Sequence, residues 1–305
     1  MRAPDHLGDF VIALPAIHAA QPDVVLITRW LAPLAELAGF NTIPVDDTIS
    51  GVVTAAIQLR RRRLQRGILL TPSLSSALML RLGGVHSRRG IEKNLIAHQH
   101  RAALYMLLAT GEPPAGIPKP KLYITRELRS RFRNIVGTGA PLVGVVPGSN
   151  APARRWPAER FAELAKELSV DGRVVVFGSA AEQEQTALVA NDVAIDLGGK
   201  TDLPMLAAGL AECGMVVTND TGSLHLAAAV GVPTVSMWGA GNPAETGPGR
   251  GHKVLRDSRL PCLECMKHEC PRRGPGYILP DAHNECLHLI GVSDVIGAVR
   301  NTVTN

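Results

Sequence analysis

Residues 219–225 place anion-binding side chains directly after an apolar run. Asp220-Thr221-Gly222-Ser223 follows the apolar residues 215–217, and a small-residue pattern that includes His225 comes next. This order predicts a strand, a tight turn and a helix N-terminus, where free backbone N–H groups and the helix dipole favour an anion. Gly222 would let the main chain approach the anion, and Thr221 could donate its hydroxyl hydrogen. The alternative is an ordinary helix capped by Asp220 or Ser223.

A second turn of this kind follows the apolar residues 142–146. Pro147-Gly148-Ser149-Asn150 offers backbone and side-chain donors, and Arg154 and Arg155 follow within a few residues. Guanidinium groups present planar pairs of N–H donors that suit phosphate oxygens. Ligands of open parallel sheets bind at the carboxyl ends of the strands. The two turns together therefore predict a site for a nucleoside diphosphate.

Four of the five cysteines form a cluster near the carboxyl end of the chain. Cys262 and Cys265 have the short spacing of a zinc knuckle, whereas Cys270 and Cys286 follow at longer intervals. Four thiolates could bind zinc or an iron–sulfur cluster. The irregular spacing favours the alternative, free thiols that pack within a loop of a reduced protein. We therefore expect no bound metal.

Short apolar runs alternate with helical patterns along the chain, which predicts an α/β protein with parallel sheets covered on both faces. Strands are predicted at residues 24–28, 67–70, 142–146, 174–177, 194–196, 215–218 and 234–237. Helices are predicted at residues 31–38, 73–82, 96–108, 128–136, 158–168, 181–191, 203–213 and 224–230. Prolines within residues 112–120 predict a stiff, extended linker. We expect two doubly wound, Rossmann-like domains facing a cleft, over residues 1–138 and 139–305.

The composition fits a soluble α/β protein with an acidic partner. The 305 residues are 46% apolar and 19% charged, with a net charge of +5. Much of the positive charge lies in one run, which consists of Arg60, Arg61, Arg62, Arg63 and Arg66. Such a run suits nucleic acid, anionic lipid or a phosphorylated substrate, or it is a solvated helix face. No apolar run approaches the ~20 residues that span a bilayer, and no signal peptide is visible, so we expect a cytoplasmic location.

Several motifs together resemble glycosyltransferase family 9, the ADP-heptose:lipopolysaccharide heptosyltransferases. The matching segments, which span nearly the full chain, are Gly8-Asp9, Pro15-Ala16-Ile17, residues 73–89, Pro147-Gly148-Ser149, Arg155-Trp156-Pro157, Phe177-Gly178-Ser179, residues 197–201, Asn219-Asp220-Thr221-Gly222, His225, Ala227-Ala228 and Gly247-Pro248. Each motif alone is weakly specific, but the combination is specific. Within the family, the cysteine-rich residues 261–271 are most similar to the second heptosyltransferase, which extends the inner core of lipopolysaccharide.

The resemblance implies a glycosyltransferase-B fold in which the amino domain holds the acceptor and the carboxyl domain holds ADP-heptose. It also implies inversion at the anomeric carbon, without a metal on the diphosphate and without another cofactor. By matching position, the donor-binding residues are Ser149, Asn150, Arg154, Asp220, Thr221, Gly222 and His225. The first three would hold phosphate and ribose groups, and the others would complete the nucleotide site.

Asp9 matches the catalytic aspartate of the family. An inverting transfer needs a base that accepts the proton of the attacking acceptor hydroxyl. The alternative for Asp9 is a cap on a helix over residues 10–20, but the resemblance favours the base. The expected acceptor-side residues are Arg60, Arg61, Arg62, Arg63, Ser73 and Arg89. The expected partners are a lipid-linked core oligosaccharide and, by peripheral contact, the inner membrane, with no nucleic acid.

Two features depart from the family pattern. Only a few residues precede Gly8-Asp9, so the first central strand, ~5 residues long in a typical sheet, is expected to be missing. The segment between Cys270 and Cys286 is long and contains Arg272-Arg273-Gly274. Three alternatives stay open: a relative that uses another nucleotide-sugar donor, a non-catalytic paralogue that binds nucleotide sugars, and a metal-containing nucleic-acid binder.

Overall fold

The computed structural model describes residues 1–71, 73–85, 87–90, 99–271 and 284–303; for residues 87–89 and 303 it describes the backbone alone. The chain divides into two compact units, Met1–Tyr123 and Ile124–Asn305. The division lies nearer the amino end than the boundary predicted after residue 138. It lies there because the helix that follows Tyr123 packs within the second unit.

The first unit alternates helices with short parallel strands. Its helices are α1 (Leu7–Ala20), α2 (Ala32–Leu37), α3 (Ile49–Arg62), α4 (Leu74–Leu82) and α5 (Arg101–Thr110). Its strands are β1 (Val25–Thr28), β2 (Thr42–Val45), β3 (Arg66–Leu69) and β4 (Ser87–Gly90). Strand β1 pairs with β2, and β3 pairs with β4, both in parallel. The predicted helix over residues 96–108 begins at Arg101; residues 91–98 lie outside the described part of the chain.

Residues 1–3 connect the two strand pairs of the first unit. Arg2 forms parallel bridges both with Leu26 in β1 and with Leu69 in β3. The amide of Ala3 donates a hydrogen bond to the carbonyl of Leu26 at 2.9 Å. The sequence predicts that the first central strand is missing. In the structure these three residues lie in that position, between β1 and β3.

The second unit is a doubly wound domain around a six-stranded parallel sheet. Its helices are α6 (Arg126–Val136), α7 (Ala158–Leu168), α8 (Gln183–Ala190), α9 (Leu203–Glu212), α10 (Gly222–Ala229), α11 (Pro243–Thr246), α12 (Glu285–His288) and α13 (Val292–Val303). Its strands are β5 (Leu142–Val146), β6 (Arg173–Val176), β7 (Ile195–Asp196), β8 (Cys213–Asn219), β9 (Thr234–Met237) and β10 (His252–Leu255). The strand order is β10-β9-β8-β5-β6-β7.

Helix α6 belongs to the second unit because of its contacts with α9. Arg129 and Arg133 each pair with the carboxylate of Glu212 at 3.0 Å. Phe132 is fully buried and stacks on Phe177, with ring centroids 6.0 Å apart. An apolar face that is buried in this way holds a helix more strongly than its intrinsic propensity does.

The predicted α/β class is confirmed, and most predicted elements match within two or three residues. Strands β5 and β9 and helix α7 have the predicted bounds. The sequence did not predict β2, α3 or β10. Among the described residues, no helix combines the length and the apolar character that crossing a bilayer requires.

Candidate functional site

Both predicted anion-binding turns lie at the same edge of the second unit's sheet. Strands β5 and β8 are parallel neighbours, with Val146 opposite Thr218. The chain leaves β5 towards β6 on one side, whereas β8 lies on the other side. This reversal of strand order is the position at which ligands bind in open α/β sheets. The turn with Ser149 and the turn with Asp220 therefore meet where the fold favours a ligand.

Asn219 links the two turns by hydrogen bonds. This last residue of β8 is fully buried. Its Nδ2 donates to the carbonyl of Pro147 at 2.7 Å, and its Oδ1 accepts from the amide of Trp156 at 2.9 Å. Asn219 thus fixes both ends of the Ser149 turn from the neighbouring strand. Asn219 was not predicted as a site residue, although its position at a strand end beside Asp220 could have indicated it.

Arg154 and Asp220 form an ion pair at the centre of this edge. Nη1 of Arg154 lies 3.0 Å from Oδ2 of Asp220, with the side chains 28% and 3% exposed. A Cβ at Gly241 would overlap this carboxylate, so the chain after β9 packs against Asp220. Nε of Arg154 is buried and has no hydrogen-bond acceptor among the described residues. The pair brings together two residues that were predicted to bind the same ligand.

Helix α10 begins directly after the Asp220 turn. Thr221 is the N-cap residue, and its own side chain makes no capping hydrogen bond. The N-cap position thus belongs to Thr221 rather than to Asp220 or Ser223, and Asp220 pairs with Arg154. Gly222 opens the helix, and His225 is buried one turn later. The first backbone N–H groups of a helix and the helix dipole favour an anion at such a terminus.

The Ser149 turn is supported by contacts with Arg155 and Glu182. Ser149 is buried and Asn150 is exposed. Nε of Arg155 donates to the carbonyl of Ser149 at 2.7 Å, so this arginine supports the turn. A Cβ at Gly148 would overlap the carboxylate of Glu182, so these two segments of the chain approach each other closely. The two predicted arginines thus differ, because only Arg154 lies against the other turn.

The cysteine loop packs against the end of β9. The amide of Glu264 donates to the carbonyl of Gly239 at 2.9 Å, and the amide of Met266 donates to the carbonyl of Ala240 at 2.8 Å. A Cβ at Gly239 would overlap Sγ of Cys286. Burial raises the pKa of the Cys286 thiol to about 12, and the nearby thiols contribute to this shift. Those neighbours are Cys262, Cys265 and Cys270.

The five cysteines are free thiols. Within the described ranges, no group of three or more His, Cys, Asp or Glu side chains is arranged to hold a metal ion. The four clustered thiols therefore lie near one another without forming a coordination shell. Metal binding by Cys262, Cys265, Cys270 and Cys286 stays the less favoured alternative, as in the sequence analysis.

Asp9 lies in the first turn of α1, in the first unit. The helix begins at Leu7, so Asp9 does not cap a helix over residues 10–20. The hydroxyl of Tyr105 donates to Oδ1 of Asp9 at 3.2 Å, and Nη1 of Arg101 lies 3.6 Å from the same oxygen. Arg101 and Tyr105 occupy adjacent turns of α5, which packs along α1. The carboxylate thus has a neutral donor and a cation beside it and is still partly exposed.

Tyr105 and Arg101 were not predicted as site residues. Burial, followed by the negative charge of Asp9, raises the pKa of Tyr105 far above its usual value. The phenol is therefore a hydrogen-bond donor at any working pH. No pattern in the sequence links it to a residue 96 positions away.

The predicted acceptor-side residues lie in the first unit at two helix ends and one strand. Arg60, Arg61 and Arg62 form the last turn of α3, and Arg63 ends it in a left-handed conformation. Ser73 is the N-cap of α4 and accepts from the amide of Ser76 at 3.4 Å. Arg89 is in β4, where only the backbone is described. Ser73 therefore has a local structural role, whatever else it binds.

Comparisons with known proteins agree with this architecture. The sequence profile of glycosyltransferase family 9 (heptosyltransferase) matches residues 53–274. Lipooligosaccharide heptosyltransferase 2 of Campylobacter jejuni is 24% identical over 318 residues, which cover 99% of this chain and 97% of the relative. Lipopolysaccharide heptosyltransferase 2 of Salmonella typhimurium is 31% identical over 222 residues, which cover 62% of this chain and 64% of the relative.

A solved structure shares the fold over nearly the whole chain. ADP-heptose lipopolysaccharide heptosyltransferase II of Escherichia coli superposes with a TM-score of 0.83 at 24% identity, covering 99% of this chain and 97% of that one. The glycosyltransferase-B fold predicted from the motifs is therefore confirmed. The predicted similarity to the second heptosyltransferase of the family is confirmed by the named relatives.

Proposed function

The chain belongs to glycosyltransferase family 9 (heptosyltransferase), and we propose that it transfers heptose from ADP-heptose to the inner core of lipopolysaccharide. The second unit would hold the donor, and the first unit would hold the acceptor. The similarity to heptosyltransferase 2 of two bacteria, and to a solved ADP-heptose heptosyltransferase, supports this choice of donor and acceptor.

The observation that carries the proposal is that the N-terminus of α10 lies at the same sheet edge as the Ser149 turn. We assign the diphosphate to the N–H groups at Gly222 and to the hydroxyls of Ser149 and Thr221. Arg154 would donate its remaining N–H groups to the same anion. The exposed Asn150 and the buried His225 would contact ribose or phosphate oxygens. These groups provide fixed positive dipoles where charge develops on the leaving ADP.

The ion pair with Asp220 gives Arg154 a specific part in this site. Because Asp220 already balances one positive charge, Arg154 acts mainly as an oriented set of donors rather than as an unpaired cation. Oriented N–H donors in a site of low dielectric stabilise developing negative charge without reorganising. The proposal therefore assigns to the chain's own donors the charge compensation that a divalent ion would supply.

Asp9 would act as the general base of an inverting transfer. The acceptor hydroxyl attacks the anomeric carbon on the face opposite ADP, a new C–O bond forms, and the bond from this carbon to the phosphate oxygen breaks. The hydroxyl proton passes to the carboxylate of Asp9, and ADP leaves with the electron pair. General-base help of this kind accelerates a reaction by roughly 10²–10⁴-fold.

The acceptor in this proposal is a lipid-linked core oligosaccharide, so the protein would work at the cytoplasmic face of the inner membrane. Arg60, Arg61, Arg62 and Arg63 would meet anionic lipid or core phosphates, with Ser73 and Arg89 on the same unit. Each basic residue near an anionic membrane contributes about 1 kcal/mol to binding, and salt screens this attraction.

A donor comparison tests the proposal. The purified full chain is incubated in EDTA with a lipid-linked inner-core acceptor and with ADP-heptose, UDP-glucose or GDP-mannose, and the product is analysed by mass spectrometry and NMR. We expect a heptosylated product from ADP-heptose alone, with the anomeric configuration opposite to that of the donor. Transfer from another nucleotide sugar, retention of configuration, or a strict need for a divalent ion would each overturn the corresponding part of the proposal.

A further inference from the structure

Helices α3 and α4 present apolar side chains to the outside of the first unit. Six of the fourteen exposed large apolar residues among the described positions lie on these two helices, and they are between 44% and 93% exposed. On each helix they recur every four residues, which places them on one stripe. The stripe residues are Ile49, Val53 and Ile57 on α3 and Leu74, Leu78 and Leu82 on α4.

The buried faces of the same helices already form the core. Ala55 and Leu59 of α3 and Met79 and Leu80 of α4 belong to one buried cluster with β1, β2 and β3. The exposed stripes are therefore additional to the apolar faces that folding uses. Singly exposed apolar residues are ordinary, whereas a contiguous apolar patch on the surface marks an interaction site.

The two helices that carry the stripes, α3 and α4, pack against each other. A Cβ at Gly83, which ends α4, would lie 2.7 Å from Cβ of Leu59, which is one turn before the end of α3. The carboxyl ends of the helices thus meet, and both stripes end at the same side of the unit. Together they form one apolar surface, which we call the α3–α4 face.

This end of the α3–α4 face is strongly basic. The exposed arginines there are Arg60, Arg61, Arg62 and Arg63 from α3 and Arg81 from α4. Neither helix contains an aspartate or a glutamate. A polar rim rich in arginine beside an apolar stripe is the pattern of a helix that lies in the interface of an anionic membrane.

We propose that the α3–α4 face docks on a bilayer that contains anionic lipid. The apolar stripes enter the boundary between headgroups and acyl chains, and the arginines bind lipid phosphates. A second copy of this chain fits less well, because it would bring the same positive charges without acidic residues on the face to pair with them. The proposal rests on the proposed function only for the choice of a membrane as partner, since the acceptor there is lipid-linked.

Vesicle binding of the full chain tests this inference without any donor or acceptor. Binding is measured by co-sedimentation with vesicles of phosphatidylcholine containing phosphatidylglycerol, and with vesicles of phosphatidylcholine alone, at low and high salt. The test variant is Ile57→Ser with Leu78→Ser. The matched control is Val170→Ser with Leu188→Ser, which removes exposed apolar residues from the second unit. Thermal unfolding confirms that both variants fold.

We expect wild type to bind anionic vesicles and to retain part of this binding at high salt, because apolar burial is not screened. The affinity of the test variant for anionic vesicles should fall by roughly tenfold or more. The control should bind as wild type does. Equal binding by wild type and test variant would overturn the inference. A dimer that forms without vesicles and dissociates in the test variant would also overturn it, in favour of a second copy. Neither result depends on transferase activity, so failure of the proposed function would be seen separately.

Discussion

The hydroxyl of Tyr105 lies 3.2 Å from Oδ1 of Asp9, although 96 positions separate the two residues in the sequence. Tyr105 is 3% exposed, and its pKa is raised by burial and by the charge of Asp9. The phenol therefore donates a hydrogen bond to the carboxylate and fixes the direction in which its other oxygen points. Arg101, one turn earlier on α5, supports the same oxygen at 3.6 Å.

Tyr105→Phe should lower kcat while leaving the Kd of ADP and the KM of the donor unchanged. A hydrogen bond to a charged group contributes about 1.5–3 kcal/mol, so we expect kcat to fall roughly tenfold or more. Steady-state kinetics with saturating acceptor measures the effect. Tyr123→Phe is the control, since Tyr123 is exposed on the same unit. A Tyr105→Phe enzyme with wild-type kcat would show that Tyr105 only fills space.

Arg154→Ala should weaken ADP binding and also destabilise the second unit. The variant leaves the buried carboxylate of Asp220 without the cation that lies 3.0 Å away. Removing one partner of a buried pair costs about 3–5 kcal/mol, and less where a partner is partly exposed, as Arg154 is. Thermal unfolding and calorimetric titration with ADP measure the two effects separately.

The double variant Arg154→Met with Asp220→Asn separates stability from binding. It removes both charges, so stability should return towards the wild-type value while ADP affinity stays low. Arg29→Ala, which breaks an exposed pair with Asp46, is the control and should change neither property. Recovery of ADP affinity in the double variant would show that Arg154 does not contribute to ADP binding.

Asn219→Leu should destabilise the second unit and loosen the Ser149 turn. The variant removes the partners of the Pro147 carbonyl and of the Trp156 amide, both at a buried position. Each buried group that is left unsatisfied costs about 1–3 kcal/mol. Chemical denaturation measures the free energy of unfolding, and Asn41→Leu, at an exposed asparagine, is the control. An unchanged free energy of unfolding would contradict the bridging role of Asn219.

Cys286 should react with iodoacetamide more slowly than the other clustered cysteines. Burial raises the pKa of its thiol to about 12, so very little thiolate is present at pH 8. Peptide mapping by mass spectrometry after timed alkylation gives the rate at each cysteine. Alkylation of Cys286 as fast as that of Cys262 would contradict this arrangement.

The two turns of the candidate site could be predicted because their signals are local. Apolar runs bounded by glycine and proline define β5 and β8, and parallel strands bring their carboxyl ends to one edge. Ser149 and Asp220 were therefore expected at the same edge, and the pairing of β5 with β8 makes their turns neighbours. Their actual partners could not be predicted, because the Arg154–Asp220 pair and the Asn219 bridge depend on side-chain packing between strands.

Helix α3 was not predicted from the sequence, and there is a physical reason for this. A surface helix is recognised by an apolar stripe opposite a polar face. In α3 the outward positions Ile49, Val53 and Ile57 are apolar like the buried ones, so this contrast is weak over most of its length. The pairing of Tyr105 with Asp9 escaped for another reason, since it depends on how α1 packs along α5.

The general-base role of Asp9 is the central claim, and Asp9→Asn tests it most directly. The measurement is the rate of ADP release from ADP-heptose with saturating acceptor, alongside ADP affinity by calorimetry. Because asparagine cannot accept the proton, we expect the rate to fall roughly 10²–10⁴-fold, while ADP affinity stays within a few-fold of wild type. The exposed Asp47→Asn is the control and should be fully active. An Asp9→Asn enzyme that releases ADP at the wild-type rate would contradict the account.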